Sequence, residues 1–368
     1  MNELQTILGE TCTRLFTDHA TTAVLEGAEK GEWPAALWQA LEENGLTLPQ
    51  VPEARGGAGG SWSDAFVVLM AAGRFAAPVP LAETMLAGAI LAEAGLDVPL
   101  GPMTVAPVHP AERLTLTRPG AGTRPGAGMR PGAGFTLSGR ATRVPWGARA
   151  EHVVVVAEAD GGPMIAQVAG GAATIEADVS LAREPRDTLT WSAAPVVAAV
   201  PLRSRLGGQP VVAGGALMRA AQIAGGLEFL LAQSVKYVSE RKQFGRPLAA
   251  FQAIQQNLAL LAGHTAAAGM AAQQAFHVVD RTGEGGDPSF EIAVAKVRTG
   301  EAAGLGAGIA HQAHGAIGFT YEHSLHFVTR RLWSWRAEFG AENHWSVGLG
   351  RQVAAQGADA LWPRLAGA

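Results

Sequence analysis

Within the 368 residues, one run gathers side chains that could do chemistry: Ser239-Glu240-Arg241-Lys242-Gln243-Phe244-Gly245-Arg246-Pro247-Leu248-Ala249-Ala250-Phe251-Gln252. Arg241 and Phe244 lie three apart at a Gly-x-Pro corner. A guanidinium there offers a planar fork to a phosphate, and the ring offers a face to a base or a sugar. The same residues equally suit the turn of a helical hairpin with a solvated basic rim. Further along, His311 and His314 share a helix face by spacing, but no third ligand follows at metal-binding distance in the sequence. Glu338 reads as a solvated or salt-bridged carboxylate beside Arg336, and Glu322 suits a helix start. Arg330-Arg331 is short enough to be a solvated helix face. Cys12 stands alone, which excludes an intrachain disulfide and a cysteine metal cluster, and it has no activating neighbour. No nucleophile elbow surrounds any serine, so acyl hydrolysis has no support.

The elements that must position these residues fall into three blocks, with boundaries expected at 1–100, 101–206 and 207–368. The length is too great for one compact core. A hydrophobic content of 48% with 16% charged residues fits a folded chain, and a net charge of -4 gives no field for nucleic acid or an anionic membrane. In the first block Leu15, Leu25, Leu37, Leu41 and Leu46 recur at helical spacing, Gly45 supplies a stop, and Ser61-Trp62-Ser63-Asp64 forms an N-cap before an apolar run. The second block holds β-branched runs such as Val153-Val154-Val155-Val156, separated by Gly and Pro clusters. Inside it, a Pro-Gly-Ala-Gly hexad occurs three times across 117–134, a low-complexity loop with no apolar face.

In the third block, Leu217, Ala221, Ala224, Leu227, Leu231, Val235 and Val238 mark one face of a helix of roughly 45 Å that reaches about Lys242. Further helices are predicted over Phe251–Val279, Ser289–His311 and Glu322–Phe339, with a last one after Asn343. Ala-rich faces on long helices imply a close-packed bundle. No apolar segment is long enough to span a membrane, and Met1-Asn2-Glu3-Leu4-Gln5 opens no secretory signal. Neither membrane insertion nor nucleic-acid binding is expected, and the cytoplasm is the expected compartment.

A helical block, a β block and a helical bundle, in that order, resemble the acyl-CoA dehydrogenase family of flavoproteins. Leu37-Trp38-Gln39-Ala40-Leu41-Glu42-Glu43-Asn44-Gly45-Leu46 through Val51-Pro52-Glu53-Ala54-Arg55-Gly56-Gly57 is similar to the family's N-terminal signature. Leu137-Ser138-Gly139 through His152-Val153-Val154-Val155-Val156-Ala157 resembles its middle hairpin. Tyr237 to Gln252 and Gln312-Ala313-His314-Gly315-Ala316-Ile317-Gly318-Phe319 resemble its two C-terminal signatures. The implied fold is an N-terminal helical domain, a middle β-barrel or sandwich and a C-terminal four-helix bundle.

The resemblance implies FAD as cofactor, an acyl-CoA thioester as substrate in lipid metabolism, and α,β-dehydrogenation. It also implies an electron-transfer flavoprotein as electron acceptor and assembly into a homo- or hetero-oligomer, dimer or tetramer, with a chain of the same family. Carried over, Arg241 pairs with the pyrophosphate, Phe244 and Leu248 line the adenosine side, and Gln252 and Gln312 donate hydrogen bonds. The Gly315-Ala316 turn presents backbone N–H groups to phosphate oxygens. In the family these contacts reach across a dimer interface to the flavin of the neighbouring subunit. Near that flavin, Glu322 and His323 could approach the acyl group, and Arg330-Arg331 would suit the phosphates of CoA.

Ala316 stands where the family has a second Gly, a mild departure that an Ala tolerates if φ stays negative, and three further positions depart from the family pattern. Where a flavin-ring loop belongs the chain reads Thr104-Val105-Ala106-Pro107, and where a Trp-Ile-Thr/Ser segment belongs it reads Arg143-Val144-Pro145-Trp146. The usual catalytic glutamate falls on Phe339, one residue after Glu338, and the alternative site falls on Gly215. Glu338 is the candidate base if the local geometry shifts by one residue. Otherwise the chain is a non-catalytic partner that clamps the FAD tail of its neighbour, or a binding module without flavin.

Overall fold

A computed structural model describes residues 2–118, 134–283 and 287–366, so the repeat at 119–133 lies outside the described residues. Five helices open the chain: α1 (Glu3–His19), α2 (Thr22–Glu29), α3 (Ala35–Glu43), α4 (Trp62–Arg74) and α5 (Leu81–Glu93). The Ser61-Trp62-Ser63-Asp64 start works as its composition predicts. Asp64 N–H donates to Ser61 Oγ, and Ser61 N–H donates back to the Asp64 carboxylate. A second carboxylate, Asp280, accepts from the N–H groups of Trp62 and Ser63 at 2.7 and 3.0 Å, placing negative charge at the positive end of α4.

Seven strands follow: β1 (Met103–Val105), β2 (Leu114–Thr117), β3 (Thr136–Pro145), β4 (His152–Ala159), β5 (Gly162–Ala169), β6 (Thr174–Glu176) and β7 (Arg186–Pro201). Pairing runs β4-β2-β3-β7-β5 and returns from β5 to β4, closing a five-stranded barrel with β1 and β6 at its margins. The valine run in β4 is continuous because both of its faces are covered. Val153 and Val155 point into the barrel core, whereas Val154 packs against the helices.

The last block is helical: α6 (Pro210–Glu240), α7 (Gln252–Arg281), α8 (Ser289–His314), α9 (Leu325–Trp335), α10 (Glu342–Gln356) and a short α11 (Leu361–Ala366). A two-strand hairpin, β8 (Lys242–Gln243) and β9 (Arg246–Pro247), links α6 to α7. Helices α4 and α6 cross at contact distance through paired glycines. A Cβ on Gly73 would fall 2.0 Å from the Gln222 carbonyl oxygen, and one on Gly225 would fall 1.9 Å from that of Met70. One core joins the opening helices, the helix-facing side of the barrel and the bundle.

The helix expected over Glu322–Phe339 is shorter at both ends. At its start, Leu325 N–H donates to His323 Nδ1. Beyond Trp335 the chain turns through Ala337, Glu338 and Phe339, with Phe339 at φ 53 and Gly340 at φ 94. Lys296, fully buried on α8, donates to the carbonyls of Trp335 and Arg336 at 3.2 and 2.6 Å and ends the helix there.

Candidate functional site

At the end of α6 the backbone turns sharply: Phe244 and Gly245 both take positive φ, 52 and 80, as a two-residue hairpin loop demands. This lifts Phe244 into solvent, 89% exposed, with Phe251 beneath its edge and the Arg246 guanidinium 4.1 Å from the Phe251 ring centroid. Leu248 N–H donates to the Arg241 carbonyl and closes the corner. The Arg241 side chain is exposed and has no ion-pair partner among the described residues. Gln252 opens α7, also exposed.

The second signature lies at the end of α8. Gln312 is exposed, and Gly315 takes φ 63 with nothing within 4 Å of where a Cβ would stand. Its backbone therefore faces open space. Ala316 stays outside the left-handed region, as an alanine in that turn requires. The ring of Tyr237, one turn before Arg241, stacks on His314 with centroids 4.5 Å apart. That stack brings the two signatures together; the sequence shows both halves but not the joint between them. Four histidines lie in ring contacts here: His314 and His323 with Tyr237, His311 with Phe319 and Trp333, and His326 with Tyr321 and Phe327; no metal-binding group occurs among the described residues.

The ring-side positions look different. Thr104 is fully buried and its hydroxyl donates to the Pro145 carbonyl at 2.5 Å. Trp146 takes φ 56 and packs edge-on against Trp33, so it belongs to the interior. Gly215 and Phe339, where the base would fall, touch each other: a Cβ on Gly215 would lie 2.2 Å from the Phe339 ring. What remains between α5, α6 and Phe339 is a cavity of about 10 Å³, room for one water at most.

Beside it runs a buried chain of alternating charges, Glu83–Arg219–Glu338–Arg186–Glu184–Arg331. Each Glu338 oxygen accepts one guanidinium N–H at 2.8 Å, from Arg186 and from Arg219. Arg219 also donates to Glu83 and Gln222, both at 2.5 Å, and Glu184 accepts from Arg331 and from the Trp335 indole. Burial alone would raise the Glu338 pKa, but the two arginines outweigh it and hold the carboxyl at about 2. A carboxylate so held is a poor proton acceptor, and Arg336, the neighbour that the sequence suggests as its partner, binds Glu342 instead.

The solvated face expected for Arg330-Arg331 is also replaced. Arg330 pairs with Glu29, and Arg331 is buried against Glu184 because α9 turns that side toward the barrel. The members missed in the sequence had one visible signal. Glu83 and Arg219 are each a lone charge within an apolar stretch of their helix, Leu81 to Leu91 and Val211 to Leu227.

An FAD-sized cofactor thus meets two different environments. The tail residues, exposed and with an open glycine backbone, fit a phosphate-bearing nucleotide; the ring side, filled by Thr104, Trp146 and Phe339, does not fit a flavin ring.

Residues 2–97 match the acyl-CoA dehydrogenase N-terminal domain and residues 211–344 the C-terminal domain. The acyl-CoA dehydrogenase IpdE2 of Mycobacterium tuberculosis is 28% identical over 334 residues, covering 89% of this chain and 91% of that protein. FadE34 of the same organism is 29% identical over 336 residues, covering 89% of this chain but 44% of its longer relative. Among solved structures, a variant of the Tcur3481–Tcur3483 steroid ACAD is 27% identical, covers 96% of this chain and 98% of its own, and superposes with a TM-score of 0.80. The ChsE4–ChsE5 complex of Mycobacterium tuberculosis, 24% identical with a TM-score of 0.83, covers 96% of this chain and 98% of its own and shares the fold. Two domain matches that frame the barrel, together with relatives that span nearly the whole chain, place this protein in the acyl-CoA dehydrogenase family.

Proposed function

We propose that this chain is the non-catalytic partner of a heteromeric acyl-CoA dehydrogenase. In that role it clamps the tail of an FAD whose ring and substrate are held by a second chain of the family. One observation carries the reading: both positions at which a base would stand, Gly215 and Phe339, are occupied by each other, while the tail clamp stays open to solvent. Arg241 would pair with the pyrophosphate, Phe244 and Leu248 would line the adenosine, and Gln252, Gln312 and the Gly315-Ala316 backbone would donate hydrogen bonds. FAD supplies the hydride acceptor for α,β-dehydrogenation of the acyl-CoA thioester when bound in the complete assembly. Proton abstraction belongs to the second chain, because Glu338 is neutralised by two arginines. The steroid ACAD and ChsE4–ChsE5 relatives favour a bulky, steroid-like acyl group and a two-chain assembly.

The test is purification of this chain alone and with a second dehydrogenase-like chain. The expected result is a colourless protein alone and a yellow complex that bleaches with a suitable acyl-CoA. Arg241→Ala is expected to lower flavin retention in the complex at least tenfold. A yellow homo-oligomer that turns over acyl-CoA would overturn the proposal and restore a self-sufficient enzyme.

A further inference from the structure

The aromatic joint between the two signatures is built around buried imidazoles. His314 lies 3% exposed between Tyr237, stacked at 4.5 Å, and His323, edge-on at 4.7 Å. Its Nδ1–H donates to the Ala310 carbonyl at 2.8 Å, which fixes the tautomer and leaves Nε2 as a bare lone pair. That Nε2 is buried without a hydrogen-bond partner, as are Nδ1 of His311 and Nε2 of His326. His326 repeats the arrangement, with its Nδ1–H on the His323 carbonyl. His311 sits in a three-ring stack, Phe319 at 4.2 Å on one side and Trp333 at 5.5 Å on the other.

The surroundings offer a proton no compensation. Around His314 stand Tyr237 from α6, His311 from α8 and His323 from the following loop, while His326 of α9 acts on His311 and His323. Behind His326 stand Arg330 and Arg331, and the carboxylate that acts there, Glu29 of α2, is already paired with Arg330. A proton on His314 Nε2 would create a buried N–H without an acceptor, beside the imidazoles of His323 and His311. An unpaired buried donor of this kind is costly enough to open a local contact without unfolding the domain.

We propose that Tyr237 and His314 are positioning residues forming a proton-sensitive joint, closed while the imidazole is neutral, that sets the spacing of Arg241 and Phe244 relative to Gln312 and Gly315. Burial lowers the pKa of His314, with the Ala310 carbonyl opposing, and burial likewise lowers His311, His323 and His326. For a base whose pKa is depressed on folding, the unfolded chain takes up the proton first. The joint's stability is therefore complete above about pH 6.5 and is lost as pH falls below it. The joint is a property of this chain alone, and only its consequence for flavin rests on the clamp reading.

Hydrogen exchange on the full chain, expressed as protection factors, tests the joint without flavin. Between pH 8 and pH 5.5, protection in segments 237–252 and 311–326 is expected to fall at least tenfold while the α4–α6 crossing keeps its own. His314→Phe keeps a stackable ring and removes the titration, so its protection is expected to stay high at both values; His314→Ala should be low at both. Unchanged wild-type protection, or the same acid-induced fall in His314→Phe, would overturn the proposal. Should the phenylalanine variant not fold, imidazole resonances of the wild type decide. A His314 that titrates at or above 6.5 with no accompanying change in the Tyr237 ring signals refutes the joint. In the two-chain complex, flavin release with the same midpoint supports both joint and clamp. Retained flavin with an opened joint supports the joint and removes the clamp reading.

Discussion

Glu338 shows how much one residue's neighbours decide its chemistry. Its position in the sequence, one short of the family's catalytic glutamate, makes it the natural candidate base. Its two guanidinium partners hold both of its oxygens in ion pairs. Held at about 2, against about 4.5 in an unfolded chain, it contributes about 3 kcal/mol to stability at neutral pH. Because the folded pKa is the lower one, this contribution is complete above about pH 5 and is lost as pH falls through the folded value. Glu338→Gln is expected to lower the free energy of unfolding at pH 7 by roughly 3 kcal/mol, since it leaves Arg186 and Arg219 short of a buried counter-charge. Denaturant titrations at pH 7 and pH 4 check this, and the gap between variant and wild type should narrow at pH 4.

At the scale of elements, two devices make separable predictions. The crossing of α4 and α6 depends on Gly73 and Gly225, each lying under a carbonyl of the other helix. Gly225→Ala is expected to cost about 2 kcal/mol or more, because the helix axes must separate, and thermal unfolding measures it. The β8–β9 hairpin holds Phe244 at φ 52, a conformation that costs a side-chain-bearing residue on the order of 1 kcal/mol. Phe244→Gly is therefore expected to leave the chain's stability unchanged or slightly raised, yet to weaken flavin retention in the complex. A variant that loses stability and retention together would mark the ring as packing instead of contact.

Most of these elements are legible in the sequence, since apolar periodicity, the Ser61 cap and the valine run all report local physics. The length of α9 is not. It stops at Trp335 because Lys296, about forty residues earlier, takes the terminal carbonyls, and because Glu338 is drawn to an arginine on the barrel. Such causes lie in tertiary contacts that no local window contains. The residues proposed for the clamp could be named from their motifs, whereas the Tyr237–His314 stack and the Gly215–Phe339 contact depend on which helices lie side by side.

For the molecule as a whole, the shared core and the charged chain tie the opening helices, the barrel and the bundle together. A single cooperative calorimetric transition is expected. A truncated chain starting at 98 should fail to unfold cooperatively, because it exposes the α6 face that packs on α4 and α5. The alternating chain also bears on how this protein can change. Three glutamates and three arginines cancel as a set, so replacing any one of them strands a buried charge, and replacing a compensating pair crosses an unstable intermediate. An acidic side chain introduced at position 339 would enter beside this completed circuit. Under the proposed partner role, a single substitution at 339 therefore supplies no free base, and epistasis among the six charges confines this region to concerted change.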